Sequence, residues 1–484
     1  MLAITLIPVL GGLICLALKG RRKALLSVVI LTVIVTGALL PFILFQESQI
    51  NIGEWGDIGI RLEMDPLAVP FILSVFIVIL ATTLNSVKRN YGHLFYSLIL
   101  ILYGTLNAIF LSRDLFNIFV TVELASIISY IMISYEKRAR QAWASLKYLM
   151  ISSLGLSIYL LGIALVYMET GSFALEGLAH VSTVSSVLIF GGLAVKSGLF
   201  MFSMWLPDAH SSAPVEVSAI LSGLIVKMNV YFAVRFAVFD SFSWITEAYV
   251  VIGVGSAILG VIFAISTNDA KKLLAYHTVS QVGFMIVACD MTSAWYAFSH
   301  AVFKSLLFLV VGNISARLKT KNYKKWSRKL DRTEYLFLLI GSLAISGFPL
   351  TSGAVTKEII IHGAGFPWLK VLLLFAATGT AISFSKFVFL KPSKHFSRLP
   401  LSTLLAYVVL SVTIIIHGLI GFEMYMLESL LSIGAGIVLY FLLKKHIRPL
   451  SPYLERFDNA LSAYLLLFVI SMVFALFRSS VLPY

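Results

Sequence analysis

Seven charged residues stand inside apolar stretches: Glu123, Lys147, Lys196, Lys227, Lys304, Lys357 and Lys386. Carboxylates, amines and imidazoles each exist in two protonation states, so a row of them along a membrane midplane can hand protons on through water. A lysine serves in such a relay only if its pKa can come down from about 10.4 toward neutrality, a change of roughly 4–5 kcal/mol supplied by desolvation or a neighbouring cation. An approaching carboxylate reverses it, so Glu123 moving toward or away from Lys196 would act as a switch. His277 and His300 titrate near neutrality and are candidate relays between two half-channels, although a lone histidine on an apolar face is also often just hydrogen-bonded. Each lysine held at the centre of a membrane helix costs about 2.5–3.5 kcal/mol on insertion scales. Such an outlay needs water or partners to offset it, which favours function for Glu123, Lys196, Lys227, Lys304 and Lys357. Lys147 and Lys386 lie nearer span ends, where snorkelling is an equal alternative.

The elements that must position these groups are membrane spans. Of the 484 residues 59% are hydrophobic and 12% charged, the composition of an all-α polytopic membrane protein. Hydropathy places sixteen spans near 2–18, 23–45, 66–88, 94–111, 114–135, 143–168, 183–206, 214–239, 246–266, 272–290, 293–317, 333–363, 368–390, 402–420, 424–443 and 460–478. The first reads as a retained span, because no basic segment precedes it and KGRRK follows it. Alternation puts KGRRK (19–23), EKRAR (136–140), NDAKK (268–272) and RLKTKNYKKWSRK (317–329) on one side, with acidic or neutral loops opposite. The expectation is therefore basic loops in the cytoplasm of a prokaryotic cell membrane and both termini outside. The net charge of +14 then reports orientation and not nucleic-acid binding. Cys15 and Cys289 lie far apart, and no Cys/His cluster or phosphate loop is present. Neither a metal nor a cofactor is expected, nor a redox or hydrolytic centre.

The buried charges also expose a repeat. Lys147 and Lys304 are 157 residues apart, Glu123 and Gln281 158, Lys227 and Lys386 159, and Lys196 and Lys357 161. The unit spans five helices, an odd number, so its second copy enters the membrane inverted, a plan typical of transporters. Spans seven and twelve, with GGLAVKSG (191–198) and SGFPLTSGAVTKE (346–358), read as discontinuous helices in matching places. The expected organisation is three helices over 1–93, a first repeat over 94–240, a second over 241–391 and C-terminal helices over 392–484.

Other charges carry weaker signals. Asp208, His210 and Glu216 at the exit of span seven either line a proton uptake path or form a tight turn and helix start. Glu358, beside Lys357, is an uptake carboxylate or an interfacial residue, and Lys386 is a further uptake candidate. Lys271, Lys272 and Arg235 read as orientation charges.

The stretches LFNIFVTVELASIISY (115–130), KSGLFMFSMWLPDAHSSAPVEVSAILSGLIVK (196–227), KKLLAYHTVSQVGFM (271–285), HAVFKSLLFLVVGNI (300–314) and SGFPLTSGAVTKE (346–358) resemble the antiporter-like subunits shared by respiratory complex I, Mrp cation/proton antiporters and membrane-bound hydrogenase-type complexes. The resemblance covers about residues 60–395. It implies fourteen helices, a Glu123–Lys196 pair, a bridging Lys227, a central relay of Lys304 with His300, and a terminal Lys357. It also implies work inside an assembly, with other membrane subunits as partners and protons, and optionally Na⁺, as the cargo. The last two apolar segments exceed that helix count, and the lack of a long lateral C-terminal helix looks more like the D-type component of Mrp antiporters. A stand-alone solute/H⁺ carrier also fits an inverted repeat, but leaves the row of lysines unused. An intramembrane transferase or hydrolase finds no supporting motif.

Overall fold

In the computed structural model the described residues are 1–44, 48–53, 59–200, 202–203, 205–394, 396, 398–421, 427–447 and 450. Fifteen of the sixteen anticipated spans are occupied by helix, and the segment 460–478 lies outside the described residues. Among the described residues ten helical segments are long and apolar enough to cross a membrane, including α2 (Arg22–Leu44), α3 (Ala68–Ser86), α4 (His93–Leu111), α5 (Leu115–Ile133) and α6 (Ala139–Thr170). Ahead of α2 runs the shorter α1 (Leu2–Ala17). The loop between α2 and α3 carries an unanticipated antiparallel hairpin, β1 (Ser48–Ile52) with β2 (Ile60–Met64), Ser48 opposite Met64 and Ile52 opposite Ile60. Alternation in IRLEM puts Leu62 and Met64 inward, a strand signal that the surrounding helical hydropathy hides.

Both anticipated discontinuities are present. Within span seven helix α7 (Thr183–Ala194) stops early and α8 (Leu206–Ser212) begins only at the span's end, and the bridge contains Gly198 at φ +68°, a left-handed backbone that glycine adopts without penalty. Span twelve is split into α14 (Arg332–Ser346) and α15 (Ser352–His362). There a Cβ on Gly353 would lie 1.9 Å from the Ala344 carbonyl oxygen, so only glycine lets α15 fold back against the end of α14.

A third irregularity was not anticipated. Span eight is α9 (Val215–Ile220), a π turn over Leu221–Ile225, then α10 (Lys227–Phe236). The Val226 amide bonds the Leu221 carbonyl five residues back, which turns the following side chains relative to an unbroken α-helix. Lys227 is the first residue of the re-started helix.

Beyond these come α11 (Ser243–Ser266), α12 (Ala270–Ala288), α13 (Met291–Leu318), α16 (Pro367–Val388), α17 (Leu401–Ile420) and α18 (Leu427–Leu443). The apolar windows of 215–236 and of α13 are wholly buried, whereas α2 and α17 expose most of theirs. Span eight and α13 thus form the centre, with α13 packed on α3, α9, α10, α12, α14, α15 and α17. Helices apolar all round belong in such a protein-lined interior, and the exposed Leu and Ile of the outer helices suit lipid.

Candidate functional site

At the break after α7 the chain turns in 3₁₀ fashion, with the Lys196 amide on the Leu193 carbonyl at 3.0 Å. Lys196 is 1% exposed; its ammonium donates to the Ser126 hydroxyl of α5 and lies 5.0 Å above the Tyr148 ring of α6. Glu123 sits one turn before Ser126 on α5. No ion pair within 4 Å joins it to Lys196 among the described residues, and its Oε2 is buried without a hydrogen-bond partner. The anticipated partners thus make no direct ion pair, and a hydroxyl holds the lysine.

Lys227 and His300 meet directly. The π turn presents Lys227 to the Ser222 carbonyl at 2.6 Å and to Nδ1 of His300 on α13. Two protonated groups cannot share that contact, since one must accept: either the ammonium donates to a neutral imidazole or the imidazole donates to a neutral amine. The pair thus has room for at most one charge, on either partner. The other ring nitrogen of His300 has no hydrogen-bond partner, and neither has either ring nitrogen of the wholly buried His277.

Lys304 follows His300 by one turn of α13 and donates to the Leu274 carbonyl of α12 at 2.5 Å. Phe308 lies between Lys304, 5.9 Å from its ring centre, and His210, stacked at 5.0 Å. Lys357 of α15 donates at 2.9 Å to the Ile345 carbonyl in the last turn of α14, and stands 5.3 Å over Phe284. The broken helix supplies that acceptor: its final carbonyls have no intrahelical partner and carry the negative end of the helix dipole.

Two lysines depart from the snorkelling alternative. Lys147 is 2% exposed and paired with Asp208 at 2.9 Å, with Lys272 at 3.6 Å from the same carboxylate. Lys386 is equally enclosed and bonds the carbonyls of Ala264, Ile265 and Thr267, closing the C-terminal end of α11. Both find acceptors in protein, so neither has reason to extend to the interface. Glu358 accepts from Ser429 of α18 at 3.0 Å and lies 3.7 Å from His362. Gln281, the counterpart of Glu123 by spacing, accepts from the Tyr296 hydroxyl.

Sequence reading undervalued three residues. Glu216 is wholly buried: Asn85 donates to it at 2.6 Å and Tyr91 at 2.8 Å, with Arg89 at 3.7 Å. Asn313 extends the network, donating to Asn85 and Tyr407 at 2.9 and 2.6 Å. Arg235 is no orientation charge. It is 7% exposed and grips both oxygens of Asp65, at 2.5 and 2.9 Å, while Arg113 bonds Asp65 at 3.0 Å and Glu63 at 2.8 Å. Lys271 likewise turns inward, to the Ala213 carbonyl at 2.9 Å and the Ser218 hydroxyl at 3.2 Å. Partners more than forty residues away in sequence made these placements invisible beforehand. Among the described residues no group of three or more His, Cys, Asp or Glu side chains is placed to hold a metal ion.

A family profile described as NADH:quinone oxidoreductase/Mrp antiporter, TM, matches residues 112–384, which contain most of these groups. The chain is similar to the D-type component of the Na⁺/H⁺ antiporter of Alkalihalophilus pseudofirmus, 28% identical over 363 residues, 69% of this chain and 73% of that protein. It is equally similar, 28% over 414 residues, to the N-type component of the NADH-quinone oxidoreductase of Desulforudis audaxviator, covering 75% and 82% of the two chains. Its fold is shared with a chain of the membrane-bound sulfane sulfur reductase, an archaeal respiratory membrane complex, at a TM-score of 0.79 and 24% identity, covering 92% of this chain and 99% of that one.

Proposed function

Because the chain belongs to the NADH:quinone oxidoreductase/Mrp antiporter transmembrane family, we propose that it is the proton-translocating subunit of a multi-subunit membrane complex, passing H⁺ along a midplane relay. The relay runs from Glu123 and Lys196 through Lys227, His300 and Lys304 to Lys357, with His277 flanking it. The direct Lys227–His300 contact carries this reading. It lies at the π turn of span eight and joins it to α13, the two spans among the described residues whose apolar windows are wholly buried. A contact with room for one charge but not two suits a relay joint, because a proton can change hands there without a second charge being buried. The unpaired nitrogens of His277 and His300 suit the water that would complete such a path.

The two halves, 94–240 and 241–391, are read as inverted copies whose broken helices each hold one lysine, Lys196 and Lys357. Asp208, His210, Glu358 and Lys386 are assigned to uptake paths. The basic loops face the cytoplasm. Moving one charge against 100 mV costs about 2.3 kcal/mol, within reach of a change in the pairing of Glu123 with Lys196. Energy for that change comes from companion subunits, by redox chemistry or by exchange against Na⁺.

In vesicles bearing the complete assembly, Lys227→Ala and His300→Ala should each cut pH-dye-detected proton movement by about tenfold or more, while Lys227→Arg, which keeps charge but scarcely gives up its proton, should be equally defective. Normal transport by Lys227→Arg would assign the site a static charge and not a relay.

A further inference from the structure

A cavity of about 450 Å³ opens among the basic loops, between the α8–α9 junction and the end of α13. That volume lies in the range of small-molecule sites. Five cationic side chains line it, Arg89, Arg138, Lys271, Lys319 and Lys321, against one carboxylate, Glu136. That carboxylate is already engaged by Arg138 at 3.3 Å and by Gln141 at 3.0 Å. Lys271 spends two of its three N–H bonds on Ala213 and Ser218, and Lys321 donates to the Ser211 carbonyl, so both ammonium groups keep donors in hand.

A second observation is independent of the charge. Two polar atoms on the same wall are buried without any hydrogen-bond partner, Ser212 Oγ and Ser315 Oγ, the latter on a residue 8% exposed; Arg89 is turned partly to Glu216, 3.7 Å from its Nε. Both hydroxyls can donate. A cavity of clustered cations and idle donors is complementary to a compact anion with several acceptor oxygens.

We propose that this cavity binds a phosphate group, carried by an anionic lipid headgroup or free in solution. The loops around it are those that alternation places at one membrane face, the level at which headgroup phosphates lie. The relay plays no part in this argument, and the site stands or falls without it.

The test uses the complete assembly, purified in detergent, and titrates phosphatidylglycerol, phosphatidylcholine and inorganic phosphate separately, reading retained ligand by native mass spectrometry and stabilisation by thermal unfolding. The parent should retain phosphatidylglycerol over phosphatidylcholine. Arg138→Gln with Lys319→Gln, two side chains outside the buried networks, should bind it at least about tenfold more weakly, the consequence of losing a charge-assisted hydrogen bond. Ser315→Ala, with little structural burden, should weaken it in the same direction, and Lys19→Gln with Lys23→Gln should change nothing. Displacement by inorganic phosphate would identify a free anion as the ligand; failure to displace would identify the lipid, and either supports the site. No anion retention by the parent, or equal retention by parent and both site variants, overturns it.

Discussion

At the scale of single residues, the structure separates charges that are locked from charges that are poised. Asp65 is locked. Burial alone would raise its carboxyl pKa, but the Arg235 hydrogen bonds and the charges of Arg235 and Arg113 outweigh burial and hold it below the usual range. Its stabilising contribution is therefore complete above about pH 4, the ordinary carboxylate value, and is lost as pH falls through the lower folded one. Asp65→Asn should cost about 1–3 kcal/mol at pH 7. Thermal unfolding of parent and variant should converge only in strong acid; a gap independent of pH would disprove the ionic account. Glu216 is locked as well, by Asn85, Tyr91 and Arg89. Glu216→Ala strands those donors, and breaking a buried charge pair costs about 3–5 kcal/mol. The unfolding temperature of the assembly should fall accordingly, with Glu216→Gln falling less. Glu123, with a buried oxygen unpaired, and Lys227, in direct contact with His300, are the poised kind.

At the scale of elements, what the sequence made legible is what depends on local pattern. Hydropathy located fifteen helical places, and glycine with proline located both broken helices, because these signals lie within each span. The π turn before Lys227 was not legible: SGLIVK carries no proline, and the extra residue is set by packing between α13 and its neighbours. The hairpin β1–β2 was missed because its alternation is only five residues long. Arg235 looked like an interfacial charge because its partner Asp65 is 170 residues away. The breaks themselves are testable. Gly353→Ala should push α15 off the Ala344 carbonyl and destabilise the fold by about 1–3 kcal/mol, as overpacking does. Unchanged unfolding and unchanged transport would mean that the α14–α15 break tolerates a wider gap than its geometry implies.

At the scale of the whole molecule, the proposed relay would cross the middle of a membrane subunit and draw its energy from companion subunits. Single cysteines placed at positions 138 and 319, in a background lacking Cys15 and Cys289, should react with an impermeant maleimide only from the cytoplasmic side, and one at 171 only from the opposite side. A reversed pattern would invert the topology. Expressed without companion subunits, the chain should move no protons, whereas an independent carrier would transport unaided. The most direct test of the central claim is proton translocation by vesicles carrying the whole assembly, comparing the parent with Lys196→Ala and Glu123→Ala at equal assembly. The relay predicts that both lose the pH signal. Full retention in both would make Lys196 a structural charge held by Ser126, and would contradict a proton path through the first half of the chain.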